Sequence, residues 1–134
     1  MRLANRGGRA WLVDGSGRGF DLEIASAGRF GSDPMQALAA SSALTDWATG
    51  AQLAGGEPLA LETLGPCVPR PRAVFAIGLN YRDHALEAKL ELPKAPMVFT
   101  KFPSCLAGPA EDVVLPSNRV DFEAELVVVI GRVA

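Results

Sequence analysis

The chain has 134 residues, a net charge of −2, 49% apolar residues and 21% charged residues. That suits one domain, or a small one plus part of another, with a core built without staples. Without a Lys/Arg block, nucleic acid and anionic membrane are excluded as main partners. No apolar run is long enough to cross a bilayer and no signal-peptide pattern opens the chain, which predicts a cytoplasmic protein. Cys67 and Cys105 lie far apart, outside any metal-binding spacing. They read as two reduced thiols, with a disulfide as the alternative. A single histidine, His84, leaves few members for a zinc site or a histidine triad.

Ala10–Val13 reads as a short strand, and the glycine-rich run 14–19 reads as a turn. Phe20–Ile24 alternates apolar and acidic residues, so it predicts the second strand of a hairpin. No Gly-Lys-Ser/Thr follows these glycines, which argues against a phosphate loop. Ser32-Asp33-Pro34 is a helix start, and a helix is predicted from Pro34 to Thr49 with Met35, Leu38, Ala39 and Trp47 on one stripe. Leu59–Leu61 predicts a short strand. The proline-punctuated run 65–72 reads as a linker, placing a boundary near Pro71. The predicted organisation is a small α+β domain over residues 1–71 and a second domain over 72–134.

In the second domain, Ala73–Ile77 is a continuous apolar run, predicting a strand buried on both faces. Polar residues crowd its end, from Asn80 to Glu87, which is where sites are commonly built. Met97–Phe102 and Val113–Pro116 predict further strands. His84 and Glu87 are three apart, so a helical turn puts them on one face. A carboxylate so placed orients the imidazole, and the pair can take a proton from water. The same two residues also suit an ordinary surface pair on a short helix.

The run 120–131 carries the clearest pattern. Its β-branched residues predict a strand ended by Gly131. Asp121, Glu123, Glu125, Val127 and Val129 share one face; Phe122, Ala124, Leu126, Val128 and Ile130 share the other, which is predicted to lie on a core. Two carboxylates two positions apart repel unless a cation lies between them. Hard oxygen donors of this kind suit Mg²⁺, Mn²⁺ or Ca²⁺. A wetted face of an antiparallel strand has the same pattern.

Taken together, the runs 77–87, 96–104, Gly108-Pro109 and 120–131 closely resemble the fumarylacetoacetate hydrolase family. The first 71 residues resemble more loosely the small amino-terminal domain of many bacterial members. The resemblance implies an α+β fold whose second part is a mainly antiparallel β-roll, the start of the family's mixed β-sandwich. It implies Glu123 and Glu125 as metal ligands, with Mg²⁺ or a similar ion as cofactor. It implies His84 and Glu87 as the pair that activates water in acylpyruvate-cleaving members, on a lid segment. Tyr81 and Arg82, by charge and position, are candidates to meet a substrate carboxylate. Lys101 stands in a family-typical position after a strand and joins them as a substrate-binding candidate. Leu79 stands where some relatives carry an arginine for the keto-acid end.

The implied activity is metal-dependent hydrolysis of a carbon–carbon bond in an acylpyruvate or other 2-keto or 1,3-dicarbonyl acid. A hydratase, isomerase or decarboxylase on the same scaffold is one alternative, and a non-catalytic binding or dimerisation module another. A homodimer is the implied assembly. The family's third metal ligand, an aspartate, lies beyond the 120–131 strand, so the chain is expected to be an amino-terminal fragment of low activity.

Overall fold

The structure is a computed structural model and describes residues 1–131. Residues 132–134, at the end of the predicted second domain, lie outside the described residues. The fold is α+β and divides into two compact units. One comprises residues 1–69 together with the segment from Ala107 onward, and the other residues 70–106.

In the first unit, strands β1 (Arg2–Arg6), β2 (Arg9–Val13) and β3 (Arg18–Asp21) form an antiparallel meander. The predicted hairpin is present, with Leu12 opposite Phe20. Its turn is closed by Asp14, whose Oδ1 accepts from the Ser16 and Arg18 amides at 2.8 and 3.0 Å. The predicted second strand ends earlier than expected. Asp21 caps helix α1 (Leu22–Ala25), accepting from the Ile24 amide, so Ile24 is helical. Two short strands complete the sheet in the order β4-β3-β2-β1-β5: β4 (Glu57–Pro58) and β5 (Leu64–Gly65). Leu59–Leu61 does not form the expected strand. The Leu59 side chain instead covers Gly19, leaving no room for a Cβ there, and a tight turn follows over Leu61–Thr63.

The predicted helix 34–49 is two helices, α2 (Pro34–Ala39) and α3 (Ser41–Gly50), broken at Ala40. Asp33 rather than Ser32 caps α2, accepting from the Met35 amide at 2.9 Å, with Pro34 in the first turn. Two serines open α3; serine competes for backbone hydrogen bonds and favours helix starts over interiors. The stripe is corrected accordingly. Ala37 and Leu44 are buried, Trp47 is half-buried against Phe30, and Ala39 is exposed. Ala10, Leu12, Phe20, Leu22 and Phe30 complete this core. Buried Asn5 is bonded at both ends of its amide: Nδ2 donates to the Pro66 carbonyl and Oδ1 accepts from the Gly8 amide.

The second unit is an antiparallel hairpin, β6 (Val74–Gly78) and β7 (Met97–Lys101), with helix α4 (Arg82–Glu87) between the strands in sequence. β6 was expected to be buried on both faces, but Phe75 is 66% exposed. A two-stranded ladder has no layer of its own to cover both faces.

The run 120–131 is corrected most. Among the described residues it belongs to no sheet, and its apolar face is open: Phe122 is 90% and Leu126 79% exposed. Val113–Pro116 likewise forms no strand. Alternation states what a partner must cover, but the ladder bonds that make a strand come from a neighbour.

Candidate active site

β6 delivers the chain to the polar cluster. After Gly78 the backbone turns through Leu79, with φ of 49°, and Tyr81 leads into the first turn of α4. The spacing that predicts one helical face is realised, since both His84 and Glu87 lie within α4. Ala85 is the buried residue of this helix, while Tyr81, Arg82, Asp83, His84 and Glu87 are exposed. Asp83 in the first turn suits the positive end of the helix. Among the described residues no hydrogen bond or ion pair joins His84 to Glu87. The imidazole is therefore open to water.

Lys101 is not brought to this cluster by the hairpin. It pairs with Val74, whereas Gly78, which leads toward α4, pairs with Met97. Four residue steps separate the two ends, about 14 Å along the ladder.

Glu123 and Glu125 are exposed, on the extended run that joins no sheet. They offer hard oxygen donors of the class that Mg²⁺ takes. Among the described residues, however, no group of three His, Cys, Asp or Glu side chains is placed to hold a metal ion. Two carboxylates do not make the near-octahedral set that Mg²⁺ demands, so the donors present do not fit a complete site. Two concavities in the first unit are lined by other residues: one beside Leu3, Ala37 and Cys67, the other along Ala39–Asp46. Cys67 and Cys105 are both free thiols; burial of the Cys67 sulfur pushes its thiol above the usual range. Among the described residues no helix is long and apolar enough to cross a membrane.

Residues 73–134 match the family model described as fumarylacetoacetate (FAA) hydrolase C-terminal. This part of the chain, a little under half of it, is similar to the fumarylacetoacetate hydrolase family. A member from Dictyostelium discoideum, fumarylacetoacetate hydrolase domain-containing protein 2 homolog, is 50% identical over 66 residues, covering 48% of this chain and 22% of that protein. The human mitochondrial oxaloacetate tautomerase FAHD2A is 49% identical over 67 residues, covering 48% and 21%. A solved structure described as an HpcE protein from Mycobacterium smegmatis is similar across both units. It superposes with a TM-score of 0.76 at 43% identity, over 87% of this chain and 41% of that one. The chain thus spans about a fifth of the length of the curated family members it matches.

Proposed function

We propose that the protein carrying this sequence acts on a small 2-oxo acid through its enol form, with His84 as the proton carrier and Glu87 as the group that orients it. The carrying observation is that His84 and Glu87 share one exposed turn of α4, directly after the strand that delivers the polar cluster. Family relatives named oxaloacetate tautomerase support the substrate class. Keto–enol interconversion of such an acid moves one proton between carbon 3 and the carbonyl oxygen. An imidazole accepts that proton at one atom and returns one at the other. Glu87, accepting from the ring's second nitrogen, fixes which nitrogen faces the substrate. Tyr81 and Arg82, beside the pair in sequence, bind the substrate carboxylate, Arg82 through its planar fork. Lys101, at the far end of the β6–β7 ladder, has no part in this cluster.

Glu123 and Glu125 belong to the same reading as two ligands of a divalent cation, Mg²⁺ or Mn²⁺, and a homodimer as its assembly. Hydrolysis of an acylpyruvate is the second reading. It is favoured by the exposure of His84, which gives water access to the imidazole. Following oxaloacetate by proton NMR in D₂O tests the first reading. Catalysed deuterium entry at carbon 3, lost in His84→Ala, is expected. Absence of catalysed exchange, with pyruvate released from an acylpyruvate, replaces it with the second.

A further inference from the structure

Three non-glycine residues carry a positive φ among the described residues: Ala27 at 50°, Leu79 at 49° and Lys89 at 56°. Two of them are helix stops. Ala27 follows α1 and donates to the Ile24 carbonyl at 3.0 Å, while Gly28 donates to Glu23 at 2.8 Å. Lys89 follows α4 and donates to the Leu86 carbonyl at 3.1 Å, while Leu90 donates to Ala85 at 2.9 Å. These are the paired bonds that close a helix end over a left-handed residue and offset its strain. Leu79 is different. It follows a strand, so no helix end closes over it. Left-handed backbone is unfavourable for a residue with a Cβ, so an outlier that does not close a helix points to the segment it orients.

We propose that Leu79 is a positioning residue, whose left-handed backbone turns the chain out of β6 and sets the direction in which α4 presents His84 and Glu87. α4 has six residues and one buried side chain, Ala85. A helix that short does not hold itself, so its direction comes from its two junctions. The exit is fixed by the hydrogen-bond pair at Lys89. The entrance is fixed by the backbone angle of Leu79, whose side chain is half-buried. Its importance for function rests on the reading of His84 as proton carrier.

The test uses Leu79→Gly and Leu79→Val in the 134-residue chain. Glycine takes a positive φ freely, whereas a β-branched residue is excluded from it. His84 is the one histidine of the chain, so its ring protons give a single set of imidazole NMR signals. Leu79→Gly is expected to keep those signals and the hydrogen-exchange protection of the Ala85, Ala88 and Leu90 amides. Leu79→Val is expected to shift the His84 signals and lower protection at those three amides about tenfold, with the β7 amides unchanged. Equal behaviour of the two variants overturns the proposal. So does loss of the His84 signals in Leu79→Gly, which would make side-chain packing the cause, or loss of β7 protection in Leu79→Val, which would make the role purely structural. None of these readouts uses turnover. A failure of the enol chemistry shows instead as absent deuterium entry in the parent protein.

Discussion

Arg9 grips Asp21 with two parallel hydrogen bonds, Nε to one carboxylate oxygen at 2.6 Å and Nη2 to the other at 3.0 Å. The same guanidinium reaches Glu23 at 2.9 Å. Asp21 also caps α1, so one carboxylate ties β2, β3 and α1 together. Its side chain is only 9% exposed. The Arg9 guanidinium holds the Asp21 carboxyl below the usual carboxylate range, helped by the Ile24 amide, against an opposing desolvation effect.

Asp21→Asn therefore removes the ionic part of this link and weakens the cap. A loss of about 1–2 kcal/mol is expected in urea unfolding at pH 7. The pH dependence follows in sign. A carboxyl whose folded pKa is depressed stabilises fully above its unfolded value of about 3.9, and that stability is lost as pH falls through the lower folded value. The difference between parent and variant should shrink below about pH 4. A gap that stays constant down to pH 2 would show that the bond geometry, not the charge, carries the effect.

Leu44, fully buried, stands across the broken helix from Ala37 in the core of the first unit. Leu44→Ala should cost about 2–5 kcal/mol, by lost transfer energy and an unfilled cavity. Half-buried Leu38 should cost clearly less on the same change. Equal losses in denaturant melts would mean that the stripe runs as the sequence predicts, through Leu38.

What was legible in the sequence divides along a physical line. Local signals were readable: the hairpin of β2 and β3, the turn around Asp14, the proline and acid that open α2, and the three-residue spacing of His84 and Glu87. Features set by a partner were not. β1 reads Arg-Leu-Ala-Asn-Arg, with little apolar content, and becomes a strand because β2 and β5 pair with both its edges. The run 120–131 has the stronger pattern and joins no sheet among the described residues, so its pattern alone does not make a strand. The break at Ala40 hid because alanine is a good helix former and only the serines after it signal a stop. Leu79 gave no hint of left-handed backbone, since that conformation is ordinarily signalled by Gly, Asn or Asp.

His84 and Glu87 make unequal demands on turnover. On the proposed enol chemistry, His84→Ala deletes the proton carrier and should lower kcat about 10²-fold or more, with little change in KM. Glu87→Gln keeps the shape and a hydrogen-bond acceptor but loses the charge, so a smaller loss is expected. Steady-state kinetics with oxaloacetate and with an acylpyruvate separate the two effects. A Glu87→Gln loss equal to that of His84→Ala on both substrates would mean that Glu87 itself carries the proton.

The assignment of Glu123 and Glu125 to a cation makes a separate demand. Two exposed carboxylates on an extended run can hold a divalent ion only weakly, because most of its coordination sphere stays with water. Mn²⁺ added to the 134-residue chain should therefore bind with a Kd of about 1 mM or weaker. It should broaden the NMR signals of residues 121–127 before others, since paramagnetic broadening falls steeply with distance. The Glu123→Ala/Glu125→Ala double variant should abolish that selective broadening and leave the signals of Ala10 and Leu12 as they are. Broadening centred elsewhere, or unchanged in the double variant, would remove these two residues from the metal site while leaving the proton chemistry of His84 intact.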